Sequence, residues 1–199
     1  MLITSDYREQ NRSLHNERPD YGSYGAKWAE TVWGLAHQYN AASVLDYGCG
    51  KQTLHNALRE QEQMFRFKAR FCCKEHQWMH AGWADYDPAI AGLDDTPQAA
   101  DLVVCTDVLE HIEPECLDAV LDDIKRCTRK AAFLVIATRP AKKTLPDGRN
   151  AHLIQQPIGW WLNQLMNRFT VRQVQNLGGE FVFIGEPNTE ITLTAERAA

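Results

Sequence analysis

Val44-Leu45-Asp46-Tyr47-Gly48-Cys49-Gly50 carries the strongest structural signal in the chain. An apolar run ends in an acid and breaks into a Gly-x-Gly turn, after which Leu54, Ala57 and Leu58 resume helical spacing. The pattern predicts strand, glycine turn, helix. Glycine lacks a Cβ, so backbone N–H groups at the start of the helix can approach a ligand closely. The turn alone also fits nicotinamide or flavin cofactors, or a purely structural bend.

Working outward, a second unit of the same kind appears downstream. Leu102-Val103-Val104-Cys105 reads as a buried strand, and Pro114 suits the first position of a helix whose Leu117, Val120, Leu121 and Ile124 face inward. Ala132-Phe133-Leu134-Val135-Ile136 follows as another strand. Strands apolar on both faces, alternating with amphipathic helices, predict an α/β fold in which helices cover both faces of a mostly parallel sheet. Upstream, Trp28, Val32, Leu35 and Tyr39 space a helix over about 26–39, and residues 1–25 read as an extended N-terminal arm and loop. Downstream, a polar loop over 142–157 precedes a helix over 160–166. Strands at 170–174 and 180–184 flank Gly178-Gly179 and predict a closing antiparallel hairpin.

With 199 residues, 44% hydrophobic and 24% charged, the chain has the size and composition of a single globular domain. A net charge of −5 argues against a protein that coats nucleic acid. No stretch approaches the roughly 20 apolar residues of a membrane span, and residues 1–18 are too polar for a signal peptide. A cytoplasmic enzyme without a membrane partner is expected, with Cys49, Cys105, Cys116 and Cys127 as buried reduced thiols.

Three segments taken together narrow the function: the Asp46–Gly50 turn, Asp85-Tyr86-Asp87-Pro88, and Asp101 through Thr106-Asp107-Val108-Leu109-Glu110-His111-Ile112. In these motifs the chain resembles the class I, Rossmann-like S-adenosylmethionine-dependent methyltransferases, from about Ala41 to the C-terminal strands. The resemblance implies S-adenosylmethionine as cofactor. It implies that Asp46, Tyr47, Gly48, Cys49 and Gly50 hold the methionyl end, that Asp87, with Asp85 next, takes the ribose hydroxyls, and that Thr106, Asp107 and Val108 lie beside the cofactor. Asp94 or Asp95 would reach the adenine amine.

The chain departs from the family pattern at Gln52, where a third glycine is common. The span from Gly50 to Asp87 exceeds one helix and one strand, so residues 61–84 read as an insertion. The span from Asp87 to Asp101 is too short for a helix plus a strand, so the sheet is expected to be reduced around its third strand.

An oxygen or nitrogen acceptor carrying a proton needs a base, for which His111 and His152 are the candidates. Arg139, Lys142, Lys143 and Arg149 gather in an otherwise acidic chain, on a segment that leaves the ligand-bearing edge of the sheet. Arg139 and Arg149, with Trp160, are the expected contacts to a small, anionic acceptor. The alternating Phe65-Arg66-Phe67-Lys68-Ala69-Arg70-Phe71 reads as an edge strand with outward charges. Cys72, Cys73, His76 and His80 lack a second ligand pair at a recognised spacing, and no metal is assigned. Two rivals to methyl transfer stand: a catalytically inactive cofactor- or partner-binding relative, and a nicotinamide-dependent oxidoreductase, the latter weakened by Thr53 where the full glycine pattern needs its third glycine.

Overall fold

The computed structural model describes residues 1–18, 21–68 and 82–189. Cys72, Cys73, His76 and His80 lie outside them. The described elements run α1 (Ser5–Glu17), α2 (Ala29–Gln38), β1 (Val44–Tyr47), α3 (Thr53–Lys68), β2 (Trp83–Tyr86), β3 (Ala100–Thr106), α4 (Leu117–Cys127), β4 (Thr128–Ala137), α5 (Ile158–Met166), β5 (Phe169–Asn176) and β6 (Glu180–Pro187). Six strands form one sheet in the order β2-β1-β3-β4-β6-β5. The first four are parallel, and β6 runs antiparallel to both β4 and β5.

The central strands β3 and β4 are apolar along most of their length because both faces are covered. Val103 and Cys105 of β3, with Leu134 and Ile136 of β4, point to the side packed by α4 and α5, where Leu121, Ile124, Trp161 and Leu165 are fully buried. Leu102, Val104, Phe133 and Val135 point the other way, onto Val32 and Leu35 of α2 and Leu54 and Leu58 of α3. Successive side chains on a strand alternate between faces, so each run feeds two cores at once. The fold is therefore the Rossmann-like α/β sheet with a closing hairpin expected from the sequence. Residues 88–99, between β2 and β3, form turns and loop with no strand, so the sheet is reduced where the short spacing required it.

Two expectations are corrected. The N-terminal arm is not extended: Thr4 caps α1 by accepting from the Tyr7 N–H, and Tyr7, Asn11 and Leu14 bury one narrow face of that helix. The stripe recurs at i, i+4, i+7. Phe65–Lys68 is not strand either, since its backbone completes α3. Strong helix formers between Arg59 and Met64 carry the helix past the point where alternation begins. The remainder of the alternating stretch lies outside the described residues.

Candidate active site

β1 is flanked by β2 on one side and β3 on the other, so the chain leaves the carboxyl ends of β1 and β3 in opposite directions. Open α/β sheets bind ligands in the crevice made at such a switch point. Here that crevice is a cavity of about 530 Å³. Gly48 and Gly50 line it after β1, Asp87 and Ala89 after β2, and Asp107 and Val108 after β3.

The glycine turn is tight for identifiable reasons. Gly48 and Gly50 have φ of 81° and 51°, in the left-handed region that disfavours side chains. A Cβ at Gly48 would sit 2.5 Å from Val108 Cγ2, and one at Gly50 would sit 2.6 Å from the Gly22 carbonyl oxygen. Gln52, in the position of the usual third glycine, adopts φ 55° and donates to Asp85 at 2.8 Å. The Gly50 N–H donates to Asp87 Oδ2 at 3.2 Å, and the Ala89 N–H donates to Oδ1 at 2.9 Å. Asp87 is therefore aimed by its own loop and by the glycine turn together. Burial raises its pKa, opposed by the Ala89 N–H, His15 and the Gly50 N–H. Beneath the turn, burial and then the carboxylates of Asp85 and Asp87 push Asp46 well above the usual carboxylate range.

Of the residues expected to hold the cofactor, Gly48, Gly50, Asp87, Asp107 and Val108 line the cavity. Asp46, Tyr47 and Cys49 are buried under it, and Thr106 closes β3 just behind Asp107. Asp85 does not face the cavity: it accepts from Gln52, from His55 Nδ1 at 2.7 Å and from Trp83 Nε1 at 2.7 Å. Asp94 accepts from the Gly92 N–H, and Asp94 and Asp95 stand exposed away from the cavity lining.

The opposite end of the cavity is built by His111 and His152, whose rings meet edge to face with centroids 4.7 Å apart. His111 Nδ1 lies 2.7 Å from the Ala151 carbonyl oxygen, and His152 Nδ1 lies 2.6 Å from that of Arg139. A carbonyl can only accept, so each Nδ1 carries the hydrogen and each Nε2 keeps its lone pair when the ring is neutral. Burial lowers the pKa of His111 to about 4 despite the neighbouring Asp107 carboxylate. Glu110 is fully buried beside them, its Oε1 accepting from the Ala137 N–H at 2.9 Å. Burial and then Asp107 push its carboxyl well upward. One ligand atom from each of Asp107, Glu110, His111 and His152 lies within 4.8 Å of the others.

Arg139, Lys142 and Lys143 also line this end. Arg149 does not. Its guanidinium turns back on Asp147, with N–H to O distances of 2.7 and 2.9 Å, and stands half-exposed. Trp160 is likewise off the cavity, edge to face with the fully buried Trp161 and packed on the core.

The sequence reading missed the cavity's N-terminal wall. Tyr7, Asn11, His15 and Tyr21 all line it. Glu113 clamps the helix cap by accepting from the Thr4 N–H at 2.9 Å and the Thr4 hydroxyl at 2.7 Å. The Tyr7 hydroxyl donates to the His111 carbonyl at 2.7 Å, and the Tyr21 hydroxyl donates to Asn11 Oδ1 at 2.7 Å. Lys51, just past the glycine turn, donates to the His15 and Arg18 carbonyls at the other end of α1. The apolar face of α1 was the available signal.

A family model described as a methyltransferase domain matches residues 20–181. No curated protein gives a significant sequence match. Among solved structures, the chain is similar to 1,6-didemethyltoxoflavin-N1-methyltransferase of Burkholderia thailandensis, bound to 1,6-didemethyltoxoflavin and S-adenosylhomocysteine. The TM-score is 0.60 at 15% identity, covering 92% of this chain and 90% of that one. It is also similar to magnesium protoporphyrin IX methyltransferase of Synechocystis PCC 6803 with bound SAH, at TM-score 0.50, 14% identity and coverage of 92% and 95%. Human N-acetylserotonin methyltransferase in complex with SAM matches at TM-score 0.54, 14% identity and coverage of 94% and 59%.

Proposed function

We propose, since this chain belongs to the methyltransferase-domain family, that it binds S-adenosylmethionine and transfers the methyl group to a small anionic acceptor. One observation carries the reading. Residues after three adjacent parallel strands, Gly48 and Gly50, Asp87, and Asp107 with Val108, meet in a single cavity that continues to His111 and His152. The residues fit the cofactor: the left-handed glycines present bare backbone to the cavity, and Asp87 faces it with its carboxylate oriented by two N–H groups.

When bound, the cofactor supplies a methyl group already activated by a positively charged sulfur. What remains for the protein is to bind, orient and exclude water, and orientation alone contributes several kcal/mol to such a barrier. Asp87 faces the cavity and is positioned for paired hydroxyls, and Asp46 stands beneath the turn that meets the methionyl end. Tyr7 and Tyr21 roof the cavity against solvent from α1 and the loop after it. Arg139, Lys142 and Lys143 favour an acceptor bearing a carboxylate or phosphate. The Nε2 lone pairs of His111 and His152 face the acceptor end and are the groups available there to hold a hydrogen or a Lewis acid.

The test is incubation of the protein with methyl-labelled S-adenosylmethionine and a fractionated extract of anionic small molecules. Transfer of label into one fraction is the expected result. Calorimetric binding of the cofactor without transfer to any fraction would instead mark a binding protein.

A further inference from the structure

We propose that Asp107, Glu110, His111 and His152 form a site for one divalent first-row transition-metal ion, whose remaining coordination positions take an oxygen of the methyl acceptor. The role assigned to the acceptor rests on the methyl-transfer reading, whereas the ion site itself does not.

The four ligand atoms lie within 4.8 Å of one another. Metal–ligand bonds of about 2.1 Å place donor atoms roughly 3.0–4.2 Å apart, so the shell closes with side-chain movements of about an ångström or less. Both imidazoles are already in the ligating tautomer, because each Nδ1–H is anchored on a backbone carbonyl, of Ala151 or of Arg139. This is the outer partnership that metal-bound histidines generally show, fixing the ring and leaving Nε2 to the ion.

An independent observation points the same way. Glu110 is fully buried, and while its Oε1 accepts from the Ala137 N–H, its Oε2 meets no N–H or hydroxyl donor among the described residues and has the Asp107 carboxyl beside it. Two buried carboxyl groups side by side either hold a proton between them or meet a cation, and the two imidazole lone pairs beside them suit the cation. Asp107, beside it, is a non-glycine residue at φ 60°, held there by its N–H donating to the Val135 carbonyl at 3.0 Å. Strain of this sort persists where the surroundings enforce it, and it gathers at ligand sites.

Two carboxylates offset the charge of a dication, and two imidazoles select Mn²⁺, Fe²⁺, Co²⁺ or Zn²⁺ over the all-oxygen preference of Ca²⁺ and Mg²⁺. Asp107, His111 and His152 line the same cavity as Arg139 and Lys143, and His152 is bonded to the Arg139 carbonyl, so open positions on the ion are within reach of an anionic acceptor. An acceptor hydroxyl held on the ion releases its proton to water. Its electron pair forms the O–CH3 bond as the C–S pair returns to sulfur, leaving a methyl ether and S-adenosylhomocysteine. The two Nε2 lone pairs then serve the ion rather than acting as proton acceptors.

Mn²⁺ is the probe, added to the metal-free full chain without cofactor. The free-ion paramagnetic resonance signal should fall by one equivalent per chain, and water-proton relaxation should rise because the bound ion keeps exchangeable water. Glu110→Gln and His152→Ala should each raise the Mn²⁺ dissociation constant at least about tenfold. Should a variant fail to fold, wild-type crystals soaked in MnCl2 give the same answer through an anomalous peak among the four residues. An undiminished free-ion signal at millimolar protein, or an anomalous peak elsewhere, overturns the site. Bound Mn²⁺ without relaxation enhancement overturns the acceptor half. S-adenosylhomocysteine titrated into the same metal-free sample tests the cofactor reading separately, so either can fail while the other stands.

Discussion

Gly50→Ala puts the smallest possible side chain at the point where the glycine turn meets the N-terminal segment. The new Cβ would lie 2.6 Å from the Gly22 oxygen, 2.9 Å from its Cα and 3.1 Å from its carbonyl carbon. All three are backbone atoms, so relief requires the 21–24 segment to move rather than a rotamer to change. Movement breaks the 2.9 Å hydrogen bond from the Lys51 N–H to the Gly22 oxygen. Left-handed backbone at an alanine costs about 1–2 kcal/mol, and the lost bond adds about 1 kcal/mol, so destabilisation of roughly 2–3 kcal/mol is expected. That is well below the usual stability of a domain, so the protein still folds. Tyr21, Gly22 and Tyr24 line the cavity, and the Gly50 N–H orients Asp87, so affinity for S-adenosylhomocysteine should fall by an order of magnitude or more. Gly34→Ala is the control: exposed in α2 with nothing within 4 Å of a new Cβ, it should stabilise by about 0.5–1 kcal/mol and leave affinity unchanged. Urea unfolding and calorimetry on both variants provide the check. A Gly50→Ala protein with wild-type stability and affinity would refute the claim that this contact shapes the site.

Glu113→Ala removes both acceptors from Thr4 and should release α1, seen as faster amide hydrogen exchange across Ser5–Glu17 together with weaker cofactor binding; unchanged protection would mean the helix holds without its clamp. In metal-free protein His111 should titrate near 4, since burial disfavours its charged form, and an NMR inflection near 6.5 would contradict this. Because that folded pKa is depressed, stability attributable to His111 is complete above about 6.5 and is lost as the pH falls toward about 4. Arg149→Gln should leave cofactor affinity and stability within about 0.5 kcal/mol of wild type, because its partner Asp147 is a surface neighbour; a larger loss would give Arg149 a role its position does not suggest.

The sheet was legible because its signals are local. Strands such as Leu102–Cys105 and Ala132–Ile136 must be apolar at every position when both faces are covered, and Gly48, Asp87 and Asp107 sit where those strands end. Residues whose roles depend on distant partners were not legible. α1 is largely polar, and its place follows from Glu113 gripping Thr4 across more than a hundred residues. Glu110 lay inside a motif read from the sequence, yet nothing in one dimension marks a carboxylate as fully buried beside a second carboxyl. Arg139, Lys142 and Lys143, gathered in sequence, line the cavity, whereas Arg149 lies off it because the turn through Asp147-Gly148 returns the guanidinium to its own loop. Of the adjacent tryptophans, Trp161 takes the core and Trp160 packs at its margin, a choice set by the helix's rotation against β-strands far away in sequence.

The most direct test of the central claim is a crystal structure of the chain with S-adenosylhomocysteine. The ribose hydroxyls should lie within hydrogen-bond distance of Asp87, the methionyl end over Gly48 and Gly50, and the sulfur toward the end of the cavity built by His111 and His152. Density for the ligand outside this cavity, or with Asp87 bonded only to the Gly50 and Ala89 N–H groups, would contradict that placement.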